Sequence, residues 1–518
     1  MNFRDPSATA APEATFERTM IATVSQATET EVKFLLPEQV PAGLDGHPLF
    51  HGCTVKPPSR QVATYFDTAD RALARAGASF RLRRNGAGCV QTLKLRGQGG
   101  PFGRGEWEWR VKGDKPEPGR LKETPLPVPE TALGAVFTAE VVRTLRRLRY
   151  EGATIEITVD EGSLHAGERT EPIRELELEL KEGDAGALYR LAERLQAEFG
   201  LVLGTESKSD RGWRLVTGEA RDGGKGEDID LPRDIIAAEA FRRIAAMLLG
   251  SLLAHQPAAG AGVMEGVHGM RVATRRLRAL LALFRPCLAA EPEARFTSEL
   301  RDLAGILGAA RDWDVFVTET LPGIDPPARD ELRAAAEAER QAAHRRLAEE
   351  LGRPAMTRLV LRLSSWAEDP AALSGEADGG RLAEPLRHLA PELLERLART
   401  ARRRGRHIRR RSEAELHELR KALKKLRYGV EFMASLHKEK RVSAYLQHCK
   451  RLQEKLGGLN DAVAAISLAD RLAQENPALR SAVMALHRSA EERREEARHD
   501  LRKGWRNFRD AELPRPVR

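Results

Sequence analysis

The stretch Glu29-x-Glu31-x-Lys33 sets two carboxylates and an amine at alternate positions, so in a strand all three project from one face. The alternation recurs in Arg81 with Arg83, Lys94 with Arg96, Glu106 with Glu108, Glu156 with Asp160, and Glu175 with Glu177 and Glu179. The opposite faces are apolar, as in Leu176, Leu178 and Leu180, or Ile155, Ile157 and Val159. A plain antiparallel sheet with one wet face and one core face would give the same pattern. Two features favour more than that. The charges are sorted by strand into acidic rows and basic rows. The two signs also suit one task, because carboxylates collect hard divalent cations while arginine and lysine clamp phosphate oxygens. A closed barrel with a charged interior, and an apolar exterior covered by helices, would gather both sets around one cavity.

A second set of charges lies further along the chain, in helical context. His268-x-x-Arg271-x-x-x-Arg275-Arg276-Leu277-Arg278 returns 149 residues later as His417-x-x-Arg420-x-x-x-Lys424-Lys425-Leu426-Arg427. At about 3.6 residues per turn, His268, Arg271, Arg275 and Arg278 form one stripe with Arg276 to its side. The repeat sets His417, Arg420, Lys424 and Arg427 likewise, with Lys425 beside them. Solvated charged faces normally carry partners of opposite sign one turn away, and few acidic residues share these stripes, so an anionic partner is expected. No Cys or carboxylate stands at ligand spacing beside the two histidines, which favours a hydrogen-bonding role over metal ligation. Asp312, Asp314 and Asp461 read as groups that orient neighbouring arginines. A third basic concentration covers Arg402–Arg411.

These residues need two kinds of scaffold. From Glu29 to Leu215 the alternation predicts strands at Glu29–Leu36, Arg60–Phe66, Ala78–Arg84, Val90–Arg96, Gly105–Lys112, Val141–Tyr150, Thr154–Leu164 and Arg174–Lys181, then a helix at Ala187–Phe199. Residues 1–27, rich in Ala, Thr and Pro, read as a disordered segment, and 28–217 as the first domain. The polar, Gly-rich stretch 218–232 reads as a linker. Residues 233–510 read as amphipathic helix throughout, in repeat halves 233–369 and 381–510. A second motif supports the repeat, since Leu307-Gly308-x-x-Arg311-Asp312 returns as Leu456-Gly457-x-x-Asn460-Asp461 at the same offset of 149. Two similar helical bundles around a pseudo-two-fold axis follow.

Composition narrows the partners. A formal charge of +9 and a pI near 9.5 favour anions. Aromatic residues make up 5%, which weighs against a single-strand nucleic-acid binder with stacking rings, while nucleic-acid binding by the basic half stays as an alternative. The four cysteines, Cys53, Cys89, Cys287 and Cys449, are too scattered for a zinc site or a disulfide framework. Neither a signal-peptide core nor a spanning segment is evident, since the most apolar helix is interrupted by Arg242 and Arg243. The expectation is a cytoplasmic protein with no membrane partner.

The ordered set of strand motifs resembles the CYTH superfamily, the triphosphate tunnel metalloenzymes. Glu29-x-Glu31-x-Lys33 opens it, followed by Tyr65-Phe66-Asp67-Thr68, Arg81-Leu82-Arg83, Lys94, Arg104 with Glu106, and Arg143. Ile155-Glu156-Ile157 leading to Asp160, Pro172 through Leu180, and Ser207-Lys208 complete it. The resemblance implies an α+β domain, an eight-stranded antiparallel tunnel with flanking helices, that binds a linear triphosphate and Mg²⁺ or Mn²⁺. It assigns phosphate binding to Lys33, Arg81, Arg83, Lys94, Arg143 and Lys208. Metal binding falls to Glu29, Glu31, Asp160, Glu175 and Glu177, and catalysis to Glu29, Glu31, Lys33 and Glu156. Glu106 would be accessory, and Arg96, Arg104, Glu108 and Glu179 match less firmly, as tunnel-mouth or surface charges.

The helical motifs resemble the CHAD domain, a conserved-histidine α-helical domain. That resemblance implies an all-α unit of two pseudo-symmetric four-helix bundles that binds inorganic polyphosphate through His268, Arg271, Arg275, Arg276, Arg278, His417, Arg420, Lys424, Lys425 and Arg427, with polyphosphate granules as a location to consider. Lys424 and Lys425 depart from the arginine pair of the first repeat, losing the bidentate fork but keeping the charge. The combined expectation is an inorganic triphosphatase, cleaving tripolyphosphate to pyrophosphate and phosphate, joined to a polyphosphate-binding module. A thiamine-triphosphate hydrolase and a non-catalytic granule-binding protein are the alternatives. A class IV adenylate cyclase would carry a His-Phe pair upstream of the opening motif, and none precedes Glu29.

Overall fold

The computed structural model describes residues 25–515 except 40, 42, 45, 86–87, 97–100, 130, 220–228, 326–327 and 500. The first 24 residues of the segment read as disordered, and most of the 218–232 linker, therefore lie outside the described residues. The last three residues of that segment belong to the first strand, which begins at Ser25.

The described residues form nine strands, the first eight on alternating positions: β1 (Ser25–Leu35), β2 (Thr54–Asp67), β3 (Ala78–Asn85), β4 (Gly88–Leu95), β5 (Gly103–Val111), β6 (Gly134–Tyr150), β7 (Ala153–Ala166), β8 (Arg169–Glu182) and the two-residue β9 (Val202–Leu203). Their order is β5-β4-β3-β2-β6-β7-β8-β1-β9, and β1 also pairs with β5. One strand does both jobs: Ser25–Thr30 runs antiparallel to β5, and Thr30–Leu35 antiparallel to β8. That double pairing closes an eight-stranded antiparallel barrel, with β9 added along the last residues of β1.

All eight expected strands are present, but β2 and β6 start earlier than the sequence implies. They pair with each other from Thr54↔Arg147 to Asp67↔Gly134, with an irregularity between Lys56 and Ser59. Pro57 and Pro58 lie in that irregularity. Proline cannot donate to a ladder, so the stretch reads as a break although pairing resumes beyond it.

Outside, the barrel is apolar and two clusters cover it, while a third lies on the inner face, in register with Arg81 and Arg83. In that inner cluster Tyr65 stacks on Phe137 at 4.5 Å between ring centroids, and Trp213 closes edge-on against Phe137. Phe80, Leu93, Trp107 and Trp109 pack with Leu73 and Leu121 on one outer side. On the other, Val32, Phe34, Ile155, Ile157, Leu176 and Leu178 meet the apolar face of a helix and belong to a core that continues into the helical domain. Each fully buried aliphatic side chain there contributes about 1.5–3 kcal/mol.

The helices are α1 (Ala72–Arg75), α2 (Ala185–Phe199) and α3 (Lys208–Thr217) in the barrel domain, then α4 (Ala237–Gly260), α5 (Met264–Phe284), α6 (Ala290–Val315), α7 (Ala328–Leu351), α8 (Pro354–Glu368) and α9 (Pro370–Ser374). The second half holds α10 (Leu386–Arg404), α11 (Glu413–Phe432), α12 (Glu439–Glu475), α13 (Arg480–His499) and α14 (Leu501–Arg509). The 149-residue offset seen in the motifs also separates the first residues of α4, α5 and α6 from those of α10, α11 and α12. The pairs α7/α13 and α8/α14 correspond within three residues. Across the pseudo-two-fold, α5 packs on α11 and α7 on α13. The fifth helices differ: α14 packs on α12 of its own half, whereas α8 packs both on α4 of its own half and on α2 of the barrel domain. Among the described residues, no helix is long and apolar enough to cross a membrane, and the four cysteines are unpaired.

Candidate active site and anion stripe

Inside the barrel the charges form two clusters, each a carboxylate triad with a lysine set against it. In the first, Asp160 (β7) and Glu175 and Glu177 (β8) bring ligand oxygens within 4.8 Å of one another. Lys208 Nζ donates to Glu175 at 2.6 Å and Glu177 at 2.7 Å, and lies 2.8 Å from Asp160. Arg143 forks onto Asp160 at 2.7 and 2.6 Å and reaches Glu177 at 2.9 Å. Burial alone would push the Glu177 carboxyl up, but Lys208, Arg143 and Lys33 hold it well below its usual range. Lys208 is the first residue of α3, whose start is fixed by a capping box between Ser207 and Asp210. A buried lysine is thereby aimed from a helix end into the barrel.

In the second cluster, Glu29 (β1), Glu106 (β5) and Glu179 (β8) form the triad. Lys94 Nζ lies 2.5 Å from Glu29, 3.4 Å from Glu106 and 4.0 Å from Glu31. Burial, together with Glu29, pushes the Glu179 carboxyl up to about 7. Glu31 stands between the two clusters, pushed up to about 7 by burial and then by Glu177 and Glu29.

The remaining sequence-predicted tunnel residues are distributed around these triads. Lys33 Nζ donates to the Glu206 carbonyl at 2.5 Å and lies 3.9 Å from Glu175. Arg83 reaches Glu108 at 3.3 Å. The Nε atoms of Arg81 and Arg83 are buried with no hydrogen-bond partner among the described residues, an unmet donor capacity facing the tunnel. Glu156 pairs with Arg147 at 2.5 Å and stands opposite Glu179 across the β7–β8 ladder, with Lys181 bridging the two at 3.6 Å from Glu156. One participant escaped sequence reasoning: Arg211 in α3 donates to Glu175 Oε1 at 2.7 Å and to Glu171 at 2.7 Å. Its signal was the three-residue spacing from Lys208 at a helix start. Arg104, assigned only loosely from sequence, is buried among Glu31, Glu29, Asp210 and Glu177.

In the helical domain the two repeat motifs converge across the α5–α11 contact. Lys424 is pushed down to about 7 by burial and then by Arg420, Arg275 and Arg271, so residues of both stripes share one field. Arg271 has one distant carboxylate, Asp312 at 3.8 Å, and Arg427 has Glu431 at 3.2 Å. Arg275, Arg276, Arg278, Arg420, Lys424 and Lys425 have no ion pair among the described residues, and the Nε atoms of all four arginines in that set are buried without a partner. Arg276 lies over the Phe432 ring at 5.4 Å, and Arg427 over Tyr428 at 4.8 Å. Lys425 feels Arg278, Arg285 and Arg404 toward one end of the contact. His417 pairs with Asn460, and burial followed by Arg311, Arg275 and Arg271 lowers His268, so each histidine faces the second motif of its own repeat. Asp314 is buried against Arg340 and His344, each at 2.8 Å. Within Arg402–Arg411, Arg402, Arg404 and Arg411 are paired with Glu395, Glu418 and Glu415.

Family models match this architecture in two blocks, the CYTH domain over residues 27–213 and the CHAD domain over 243–470. The chain carries a CYTH domain followed by a CHAD domain. The CYTH domain is similar to an inorganic triphosphatase of Haemophilus influenzae, 30% identical over 157 residues, which are 29% of this chain and 45% of that one. An uncharacterized protein of Mycobacterium tuberculosis is 31% identical over 280 residues, 50% of this chain and 52% of its own. The chain thus spans about half the length of the curated relatives it matches. The CHAD domain is similar to the crystal structure of the CHAD domain from the plant Ricinus communis, at 29% identity and a TM-score of 0.52, covering 57% of this chain and 99% of that one.

CYTH tunnel metalloenzymes use divalent metals, and the donor sets here fit such an ion: each triad offers three carboxylate oxygens within 4.8 Å, the hard anionic ligands that Mg²⁺ or Mn²⁺ takes. Lys208 lies against all three carboxylates of the first triad, whereas in the second Lys94 meets Glu29 and Glu106 and Glu179 pairs with Lys181.

Proposed function

We propose that the CYTH domain hydrolyses inorganic tripolyphosphate to pyrophosphate and phosphate with Mg²⁺ or Mn²⁺, and that the CHAD domain binds inorganic polyphosphate. The observation that carries the reading is the pairing of two carboxylate triads with inward-facing cations in one closed barrel. A divalent cation bound at a triad would neutralise phosphate oxygens and lower the pKa of the attacking water. Asp160, Glu175 and Glu177 would hold it on one side, and Glu29 with Glu31 on the other. With those carboxylates otherwise neutralised, Lys94 and Lys208 turn to phosphate oxygens. Arg81 and Arg83 already present buried donors without partners, as a linear polyanion requires. Lys33 and Arg143 complete the clamp, and Glu31 orients the water. Because a transferring phosphoryl group spreads its charge over its oxygens, positioning and cation stabilisation supply most of the catalysis.

The similarity to an inorganic triphosphatase supports the substrate, and the unpaired cations of the helical stripe support a polyanion there. Phosphate release from tripolyphosphate, ATP and long-chain polyphosphate, with and without Mg²⁺, tests the reading. Metal-dependent release should be fastest with tripolyphosphate, and faster release from an organic triphosphate would replace the substrate. Glu31→Gln keeps the side-chain shape and should fold normally while Mg²⁺-dependent turnover collapses.

A further inference from the structure

The CHAD domain touches the CYTH domain at a place that bears on the tunnel. Helix α8 belongs to the first helical repeat, yet it packs on α2 and β9 of the barrel domain. Thr357 Oγ1, buried at 2% exposure, accepts a 2.9 Å hydrogen bond from the Leu203 amide. Strand β9 is the outermost strand, and its inner edge pairs with β1 through Phe34↔Leu203 and Leu35↔Val202. The Leu203 N–H therefore points away from β1, and Thr357 satisfies the donor that an edge strand would otherwise leave open. A parallel tie runs from Gln196 Nε2 to the Pro354 carbonyl at 3.2 Å, and Arg362 Nε lies 3.8 Å from Glu193.

The segment held in this way leads directly to two tunnel lysines. Gly204 N donates to the Lys33 carbonyl at 2.8 Å. A Cβ at Gly204 would stand 3.0 Å from Lys33 Cε and 3.2 Å from Leu35, so any side chain here would press the lysine side chain aside by a few tenths of an ångström. Two residues on, the Glu206 carbonyl accepts from Lys33 Nζ at 2.5 Å. Ser207 then caps α3 and places Lys208 in the triad of Asp160, Glu175 and Glu177. From Leu203 to Lys208 the chain is fixed at one end by the helical domain and at the other by the tunnel charges.

We propose that Thr357 is a positioning residue for the tunnel: by fixing the 203–208 segment from the CHAD side, it sets where the Lys33 and Lys208 ammonium groups stand. The inference rests on the hydrolase reading for its kinetic consequence, but its structural half is measurable without turnover. The test uses the full chain as wild type, Thr357→Val, which keeps the shape and removes the acceptor, and Thr357→Ser, which restores it. In Thr357→Val, hydrogen exchange across 201–208 should accelerate and kcat for tripolyphosphate should fall about three- to tenfold, the span of one buried hydrogen bond. KM should move less than kcat, and Thr357→Ser should recover both exchange and kcat. Gln196→Met, which removes the parallel tie, takes the place of Thr357→Val if that variant does not fold, with the same expectation. If the wild type shows no tripolyphosphate turnover, the hydrolase reading fails, while faster exchange over 201–208 would still support the positioning role. Exchange and kcat both unchanged in Thr357→Val would overturn the proposal, as would a kcat loss equal in the Val and Ser variants without faster exchange in that segment.

Discussion

The tunnel and the helical stripe are both rich in cations, but they hold their charge in opposite ways. In the barrel, Lys94, Lys208 and Arg143 each lie within ion-pair distance of two or more carboxylates. On the α5–α11 contact, Arg275, Arg420 and Lys424 have no such partner among the described residues, and burial with like neighbours lowers Arg420 and Lys424. A region that neutralises itself can accept a metal and an anion together by exchanging partners, with little change in net charge. A region left positive gains only from an anion. The difference separates chemistry that needs a metal from binding that does not.

The largest expected effect is in the barrel. Lys208→Met leaves Asp160, Glu175 and Glu177 crowded and buried, which should cost about 3–5 kcal/mol of stability in metal-free buffer. Millimolar Mg²⁺ should narrow that gap, as read by denaturant unfolding with and without the ion. Equal destabilisation in both buffers would mean that the triad takes no metal.

Next is the stripe. Charge reversal at Arg275 should weaken long-chain polyphosphate binding by at least about 1.5–3 kcal/mol, the worth of one charge-assisted contact. The loss should be smaller at high salt, because screening weakens every remaining contact. Titration calorimetry at two ionic strengths measures both, and unaltered affinity would remove Arg275 from the binding face.

A pH effect should follow from Lys424. Burial first, then Arg420, Arg275 and Arg271, bring it down to about 7 from the usual lysine value of 10.5. Between those values the unfolded chain binds a proton that the folded chain does not, so stability should rise as pH rises through this window. Below about 7 both states are protonated and the full penalty applies. Lys424→Met should flatten the profile. A bound polyanion restores the charge, so polyphosphate binding near pH 8 should take up protons, detectable as a heat that depends on the buffer's ionisation enthalpy. The smallest effect is expected at Asn460→Ala, where loss of the His417 partner should cost about 1 kcal/mol in thermal unfolding.

Much of this was legible in the residues. Strand alternation gave the eight barrel strands, because a tunnel charged within and apolar without imposes a period of two on every strand. The 149-residue offset gave the helical repeat, and three helix starts obey it to the residue. What the sequence hid were contacts that no period encodes. Glu179 read as a mouth or surface charge, yet it completes a triad with Glu29 and Glu106, since which rows of a closed barrel face one another depends on register. Strand β9 has two residues and no pattern of its own. The docking of α8 on α2 was equally invisible, because an apolar face does not name its partner: α8 packs on α4 of its own half as well as on α2, while its counterpart α14 packs within its own half.

The closure of the barrel by β1 has a consequence for assembly. Strand β1 finds its barrel neighbours in β5 and β8, the latter ending at Glu182. During synthesis the edge of β1 that β8 covers must therefore stay open until the 147 residues after Leu35 have emerged. Such long-range pairing is slow, and unpaired edges are what associate wrongly with other chains. The helices that follow make mostly local contacts and fold fast. Helix α8, arriving last against α2 and β9, finds its docking surface complete only once the barrel has closed. Truncations that stop before β8 should accordingly yield aggregates rather than a smaller soluble barrel.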